Sequence, residues 1–372
     1  MQSRPRAREV GLKVGAQPAG PRNAITDVAG VRVGHTTLVT GDGPLRPGQG
    51  PVRTGVTVIL PHGDNLFHQK VPGAVHTING FGKVCGFEEV RELGVIEAPI
   101  ALTNTLNVGL VADGLVQYAI RQSPEIGVRT SSVNVVVGEC NDGYLNDMQG
   151  RHVRAEHVWV ALDAAASGAV PEGAVGAGTG TGCFGWKGGV GTASRVIPAE
   201  AGGFTVGALV QSNFGRPQDL TVLGVPLGLY VQPPERTRPP TQEKGSIMIV
   251  LATDAPLDDR QLRRLGVRAA VGLARTGSHH MHGSGDFVIA FSTAHRIEHA
   301  PASVTASRTV LANEPSAMAG LFPAVAECVE EAILDSLCCA ETVVGRDGNT
   351  RYALPVDDVV ALVHKFRPEA VE

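Results

Sequence analysis

Short apolar stretches, several of them rich in β-branched residues, recur along the chain and are each bounded by Gly, Pro, Asn or Asp. Runs of four to six such residues are typical of strands that are buried on both faces. The pattern therefore predicts strands at residues 56–60, 100–103, 133–137, 206–210, 247–252 and 287–291.

Two longer segments show the helical period of apolar positions instead. The first follows Asp258 and Asp259, which are candidate N-cap residues. The apolar stripes are Leu262, Leu265, Ala269 and Leu273 in the first segment, and Leu321, Val325, Cys328, Val329, Ala332, Ile333 and Leu337 in the second. Buried strands combined with one-sided helices predict an α+β fold in which helices cover the sheets.

The chain is expected to form a single domain over residues 1–372. It has no internal repeat of fixed period. The stretch most like a linker is the polar, Pro-rich segment 232–244, which cannot pair within a central strand. We predict that this segment is an exposed loop between two strands of one core.

Composition and charge exclude several classes of protein. With 43% apolar and 18% charged residues the chain is typical of globular proteins, and a net charge of −4 without runs of like charge does not favour a nucleic-acid partner. No apolar run reaches the ~18 residues that cross a bilayer. The basic residues 1–8 are not followed by the apolar stretch of a secretory signal. We therefore expect no membrane partner and a cytoplasmic location.

Two conspicuous clusters are interpreted as structural. The Gly-rich stretch 176–182 (GAGTGTG) lacks the Gly-Lys-Ser/Thr sequence of a phosphate-binding loop and is predicted to form a close-packed turn. His279, His280 and His282 have no carboxylate or cysteine at the spacing of metal ligands, and they are predicted to lie in a polar loop. No metal or organic cofactor is expected.

The strongest chemical candidate is Ser284, in the sequence Gly283-Ser284-Gly285-Asp286 immediately before an apolar strand. Gly283 leaves its carbonyl unshielded, so the Ser284 hydroxyl could attack the peptide bond on its own amino-terminal side. Cleavage would give Ser284 a free α-amine, whose reference pKa near ~8 suits it as the base for its own hydroxyl. Taken alone, these four residues favour a plain Gly-Ser-Gly turn ahead of a strand.

The chain resembles the P1 family of DmpA-like, self-cleaving serine aminopeptidases, which includes the L-aminopeptidase/D-esterase and the β-peptidyl aminopeptidases. The resemblance runs in order from near the N-terminus to Asp286. The matching stretches are residues 25–35 (ITDVAGVRVGH), 79–82 (NGFG), 99–104 (PIALTN), 141–147 (NDGYLND), 187–194 (KGGVGTAS), 210–215 (VQSNFG), 252–257 (ATDAPL) and 283–286 (GSGD).

The resemblance implies an αββα sandwich like that of the Ntn hydrolases but differently connected. It implies cleavage at Gly283–Ser284 into chains 1–283 and 284–372, which stay together in a homo-oligomer, usually a homotetramer. Ser284 matches the nucleophile, and Tyr144 and Asn213 match the groups that stabilise the tetrahedral intermediate; a phenol and an amide are suitable oxyanion donors. Lys187 is expected either to add positive charge near the site or to face solvent in a loop.

The family also places a hydroxyl and a carboxylate two residues apart after the nucleophile strand, where they support the new α-amine. The segment 312–314 is the best match, with Glu314 as the carboxylate. Ala312 occupies the position expected for the serine, and Ser316 lies nearby.

An aminopeptidase must also offset the positive charge of the substrate's α-ammonium. The carboxylates of Glu139 and Asp142, just ahead of Tyr144, are the candidates, although either residue could instead cap a turn.

We therefore expect an N-terminal-nucleophile serine hydrolase that releases amino-terminal residues from small peptides, amides or esters. Two alternatives remain open at this point. One is an acyltransferase of the ornithine acetyltransferase type, which would use the same chemistry. The other is an inactive scaffold, for which the unmatched Ala312 leaves room.

Overall fold

The computed structural model describes residues 4–234 and 245–370. Its smaller sheet has the strand order β1-β2-β5-β6, and its larger sheet has the order β13-β3-β12-β11-β10-β9, with β4 paired to β3. The strands of the smaller sheet are β1 (Arg32–Thr40), β2 (Val52–Leu60), β5 (Ile100–Asn104) and β6 (Val136–Cys140). Those of the larger sheet are β3 (Gln69–Gly80), β4 (Val95–Ile96), β9 (Val190–Val196), β10 (Thr205–Asn213), β11 (Ser246–Thr253), β12 (Gly285–Ser292) and β13 (Ile297–Glu298).

Helices cover the outer face of each sheet, and two short ribbons complete the described part of the fold. The helices are α1 (Phe87–Leu93), α2 (Val108–Gln122), α3 (Ala155–Asp163), α4 (Asp259–Arg275), α5 (Glu314–Cys338) and α6 (Val356–Phe366). The ribbons pair β7 (Gly182–Cys183) with β8 (Trp186–Lys187), and β14 (Val343–Val344) with β15 (Thr350–Arg351).

The apolar side chains of β11 show why the fold has four layers. Ile247, Ile249 and Leu251 pack in one cluster with the apolar stripes of α4 and α5. Met248 and Val250 alternate with them and pack against the smaller sheet. A third cluster lies between the smaller sheet and helices α2 and α3. The fold is thus an αββα sandwich, as expected from the sequence.

Each predicted strand corresponds to an observed one, although the stretch predicted at 133–137 begins three residues later, at Val136. Both predicted helices are present. Asp258 caps α4, because its carboxylate accepts a hydrogen bond from the Gln261 amide at 2.7 Å and its own N–H donates to the Gln261 side chain at 3.0 Å. Of the predicted loop 232–244, residues 232–234 are irregular and the rest lies outside the described residues.

Strand direction determines where the site can form. The strands β11 and β12 are parallel and are connected through α4, so their first residues lie at the same end of the larger sheet. Asn213, the last residue of β10, pairs with Ser246 in β11, and Ser246 pairs with Gly285 in β12. The end of one strand and the beginnings of two others therefore meet in one row across the sheet.

Candidate active site

Ser284, the residue before β12, is almost completely buried. Its hydroxyl donates a hydrogen bond to Oδ1 of Asp286 at 2.5 Å. Its carbonyl accepts hydrogen bonds from the Phe81 amide at 3.1 Å and from the Asn79 side chain. Burial raises the pKa of Asp286, although the bond from Ser284 and the charge of His280 oppose that effect. Ser284 and Asp286 thus form a hydroxyl and carboxylate pair, two residues apart.

This pair lies beside the peptide bond between Gly245 and Ser246. The Ser284 oxygen is 3.2 Å from the point that a Cβ on Gly245 would occupy. The Gly285 amide donates a hydrogen bond to the Gly245 carbonyl at 3.1 Å. A donor on a peptide carbonyl polarises it toward nucleophilic attack. The structure therefore brings a second Gly-Ser bond to the site, at the start of β11.

Ser246 was not singled out by the sequence analysis. The Asn213 side chain donates from Nδ2 to Ser246 Oγ at 3.3 Å, and the Cys140 thiol lies next to the same hydroxyl. A signal was present in the sequence, because Gly245–Ser246 follows the Pro-rich segment and opens an apolar strand, just as Gly283–Ser284 precedes one.

The predicted oxyanion donors Asn213 and Tyr144 are connected by a series of contacts between neighbouring residues. Asn213 Oδ1 accepts a hydrogen bond from the Gly182 amide at 3.1 Å. The Arg351 side chain covers Gly182, and its guanidinium carbon lies 4.3 Å from the centre of the Tyr144 ring. The Tyr144 carbonyl accepts from Asn349 at 2.8 Å. Tyr144 and Asn213 are thus linked through Arg351 and Gly182.

Glu139 lies in β6 with its carboxylate directed toward the start of β12. Its oxygens accept hydrogen bonds from the Lys83 amide at 3.0 Å and from the Thr105 hydroxyl. A Cβ added to Gly82 would lie 3.4 Å from Glu139 Oε1 and 3.3 Å from Gly285 Cα, so only a glycine separates the carboxylate from the site. Burial raises the pKa of Glu139, despite hydrogen bonds that favour its charged form.

The Asp142 carboxylate forms its hydrogen bonds away from the two Gly-Ser bonds. Its two oxygens accept hydrogen bonds from Thr54 Oγ1 at 2.5 Å and Asn146 Nδ2 at 3.0 Å, and burial raises its pKa to about 7. Of the two carboxylates predicted to bind the substrate ammonium, the structure places only Glu139 next to the two Gly-Ser bonds.

Lys187 is fully buried, so the expectation of a solvent-facing loop lysine is wrong. Its ammonium donates to the carbonyls of Gly178 and Thr181 at 2.8 Å and to that of Gly188 at 2.6 Å. Burial lowers its pKa to about 7. Lys187 therefore holds the Gly-rich turn together, and it pairs with Gly182, the residue that donates to Asn213.

The structure corrects the expectation for Glu314. This residue begins α5 and is bound by Arg260, Gln261 and Arg264, and hydrogen bonds from the first two lower its pKa to about 2. Ser336, near the other end of α5, contacts Ser212 at 2.8 Å, next to Asn213. At 1.5 Å per helical residue, Glu314 lies roughly 30 Å from that end. The pair formed by Ser284 and Asp286 has the spacing expected of 312–314 and is at the site.

In residues 4–234 and 245–370, no group of three or more His, Cys, Asp or Glu side chains is placed to hold a metal ion. No helix within the same ranges is long and apolar enough to span a membrane.

Comparison with known proteins agrees with this geometry. Residues 23–351 match the model of peptidase family S58. The chain is 40% identical over 375 residues to the β-peptidyl aminopeptidase BapA of Sphingosinicella microcystinivorans, covering 98% of this chain and 93% of the relative. The chain therefore belongs to peptidase family S58, and it is a serine aminopeptidase.

Solved structures support the same assignment. A protein from Pyrococcus horikoshii OT3 superposes with a TM-score of 0.91 at 50% identity, covering 97% of this chain and 99% of the other. The L-aminopeptidase D-Ala-esterase/amidase of Ochrobactrum anthropi, described as a prototype of the serine aminopeptidases and a variant of the Ntn hydrolase fold, superposes with a TM-score of 0.86 at 37% identity, with coverages of 97% and 99%.

Proposed function

We propose that this chain is an N-terminal-nucleophile serine aminopeptidase whose nucleophile is Ser246, released by self-cleavage at Gly245–Ser246. The mature enzyme removes amino-terminal residues from small peptides, amides or esters. The observation that carries this proposal is the 3.1 Å hydrogen bond from the Gly285 amide to the Gly245 carbonyl. It is the carbonyl that the Ser246 hydroxyl must attack.

Two Gly-Ser bonds compete for this role, and the surroundings favour the first. An N-terminal nucleophile requires an oxyanion donor at its hydroxyl and polar groups at its α-amine. Ser246 has the Asn213 amide at its hydroxyl and the Ser284 oxygen next to Gly245. The Ser284 hydroxyl instead donates to a carboxylate. Ser284 and Asp286 thus match the pair that supports the amine, and this assignment replaces both Ser284 as nucleophile and Glu314 as supporting carboxylate.

Self-cleavage follows from these contacts. The Ser246 hydroxyl attacks the Gly245 carbonyl, and the Gly285 amide stabilises the oxyanion. The C–N bond breaks, the nitrogen keeps the electron pair and takes a proton, and the acyl group remains on Oγ as an ester. Water then hydrolyses the ester, which leaves Gly245 with a carboxylate and Ser246 with a free α-amine and a free hydroxyl.

Turnover uses the same groups. The Ser246 α-amine takes the proton from Oγ as Oγ attacks the substrate carbonyl, and it returns the proton to the departing amine or alkoxide. Asn213 holds the oxyanion, and the Tyr144 phenol is the second donor. Water then clears the acyl-enzyme in a second attack. Glu139 binds the substrate's ammonium group and thereby restricts the enzyme to free amino termini.

The mature chains are residues 1–245 and 246–372, instead of the expected 1–283 and 284–372. We infer that they remain associated and form a homo-oligomer of heterodimers in the cytoplasm. Light scattering on the cleaved protein tests the assembly, and cell fractionation tests the location.

Mass spectrometry and amino-terminal sequencing of purified protein test the cleavage site. Cleavage at Gly245–Ser246 gives a piece beginning Ser-Ile-Met of about 13 kDa, whereas cleavage at Gly283–Ser284 gives one beginning Ser-Gly-Asp of about 9 kDa, scaled by length from 38.7 kDa. Ser246→Ala should stay whole and inactive. Ser284→Ala should still be cleaved at Gly245–Ser246, because Ser246 keeps its hydroxyl and the Gly285 donor. Cleavage should be slower, because the Ser284 oxygen next to Gly245 is lost.

The pair of variants separates the two serines. Either of two results would show that Ser284 is the nucleophile instead. One is a piece beginning Ser-Gly-Asp in active protein, and the other is an uncleaved Ser284→Ala variant together with a cleaved Ser246→Ala variant. Active protein that is a single intact chain would overturn the whole mechanism.

A further inference from the structure

The turn between α4 and β12 holds His280 in an uncommon conformation. Its φ angle is +48°, in the left-handed region that residues with a Cβ rarely adopt. The His280 side chain is 28% exposed, whereas that of its neighbour His279 is 63% exposed. A side chain directed inward from a strained turn is held there by its surroundings, and such residues cluster at functional sites.

His280 faces the second oxygen of Asp286. Its Nδ1 is 3.6 Å from Asp286 Oδ2, and both atoms are buried without a hydrogen-bond partner among the described residues. A separation of 3.6 Å is too long for a hydrogen bond, but a shift of about 0.6 Å would make one. Leaving a buried acceptor unpaired destabilises the folded state. The two atoms could therefore form a hydrogen bond with each other, but in this conformation they are slightly too far apart.

The other groups around Asp286 do not replace this partner. Ser284 binds Oδ1, and the Asn79 amide on β3 donates to main-chain carbonyls of the turn and of Ser284. From the smaller sheet, the Cys140 thiol is close enough to interact electrostatically with Asp286, and burial raises the pKa of this thiol well above its usual value. A neutral thiol does not stabilise a carboxylate charge. His280 is the neighbouring group whose charge lowers the pKa of Asp286.

We propose that His280 is a positioning residue, whose ring N–H donates to Asp286 Oδ2 in the working enzyme and keeps that carboxylate ionised. Ionised Asp286 holds the Ser284 hydroxyl as a donor, so the lone pairs of Ser284 Oγ are free to accept a hydrogen bond from the Ser246 α-amine. This role rests on the function proposed above. Of the three histidines in the turn, only His280 acts in this way.

The pH profile of kcat/KM tests this role, measured with an aminoacyl p-nitroanilide on protein shown by mass spectrometry to be cleaved. His280→Leu removes the donor to Asp286. The Asp286 carboxylate should then remain protonated up to a higher pH, which shifts the acid limb of the profile toward higher pH. We expect a loss of at least about 10-fold at pH 6 and of less than about 3-fold at pH 9, where Asp286 is ionised without help.

Two more variants complete the test. His280→Asn retains a side-chain donor and tolerates a left-handed backbone, so its acid limb should lie between those of the parent and His280→Leu. His279→Leu, on the exposed neighbour, should keep the parental profile. If His280→Leu is not cleaved, the comparison rests on His280→Asn.

The outcomes separate this role from the proposed function. If the parent is cleaved and active but the acid limb is unshifted in both His280 variants, the role of His280 is overturned and the proposed function is not. The same conclusion follows from a loss that is equal at every pH, because a structural defect would cause it. A parent whose second chain does not begin at Ser246 overturns the proposed function and this role with it.

Discussion

At the scale of single residues, Glu139 and Asp142 show how one sequence stretch supplies two carboxylates with different tasks. Both are buried near the end of the same strand, and burial raises the pKa of each. Asp142 accepts hydrogen bonds from Thr54 and Asn146, whereas Glu139 is one glycine away from the start of β12. In the function proposed above, Glu139 is therefore the carboxylate that binds the ammonium of a substrate.

Glu139→Gln keeps the size of the side chain and removes its charge. We expect kcat/KM for a substrate with a free amine to fall at least about 10-fold, or about 1.4 kcal/mol, while the rate on the N-acetylated substrate changes little. Steady-state assays of both substrates measure the ratio. Asp142→Asn is the matched control, which should lower stability and leave the ratio unchanged. An unchanged ratio in Glu139→Gln would exclude Glu139 as the ammonium anchor.

At the scale of secondary-structure elements, α5 packs closely against β9, next to the strand that carries Asn213. A Cβ on Gly191 would lie 1.9 Å from the Ala332 carbonyl oxygen and 2.6 Å from the Ser336 nitrogen, which are backbone atoms that cannot move aside locally. The same turn of α5 carries the Ser336 hydroxyl that contacts Ser212, beside Asn213. We therefore expect a change in this packing to reach Asn213, the proposed oxyanion donor.

Gly191→Ala should therefore lower the free energy of unfolding by about 1–3 kcal/mol through overpacking, and it should reduce turnover. Gly109→Ala serves as the control, because no atom lies within 4 Å of its Cβ position in α2. There alanine should stabilise the helix by about 0.5–1 kcal/mol. Urea unfolding of both variants measures the two effects. Equal stabilities would mean that β9 and α5 can separate without cost.

At the scale of the whole molecule, the N-terminal segment is tied to α5 by buried ion pairs. Arg6 contacts Asp335, and Arg8 contacts Glu331, each within 3 Å, while the fully buried Arg195 of β9 pairs with Glu331 and Glu327. With the cleavage proposed at Gly245–Ser246, these contacts would join two separate chains. Burial alone would raise the pKa of Glu331, but Arg8 and Arg195 outweigh burial and lower it.

Glu331→Gln should lower the free energy of unfolding of the cleaved enzyme by about 3–5 kcal/mol at neutral pH, since the buried Arg195 loses one of its two carboxylate partners. Because the pKa of Glu331 is lowered in the folded state, its contribution is present above about pH 4 and is lost as the pH falls further. Urea unfolding at pH 7 and at a series of values from pH 4 down to about pH 2 measures both effects.

Glu369→Gln is the control for this prediction, since it breaks an exposed pair with Arg367 and should leave stability almost unchanged. A loss in Glu331→Gln no larger than that of the control would show that the two chains are held together by other contacts.

The amino-acid sequence by itself determined the strands, the main helices and the family. The segment 247–252 is recognisable as a buried strand because both of its faces are apolar, and α4 is recognisable from its period and its cap at Asp258. These signals are local, since each depends on residues within one element. The motif Gly283-Ser284-Gly285-Asp286 likewise identified the Ser284 hydroxyl and a place in the chain where chemistry is expected, but not the Asp286 carboxylate as the partner of that hydroxyl.

Only the tertiary structure decided which of these groups meet. Asn213, Ser246 and Gly285 meet because of the register of three strands, and no spacing in the sequence encodes that register. The direction of α5 places Glu314 far from the site, whereas its distance along the chain from Ser284 is only 30 residues. Lys187 is buried because the chain folds back on itself and places the carbonyls of Gly178 and Thr181 around its ammonium. Local periodicity predicts which residues are buried in an element, but strand pairing and helix direction determine which residues meet.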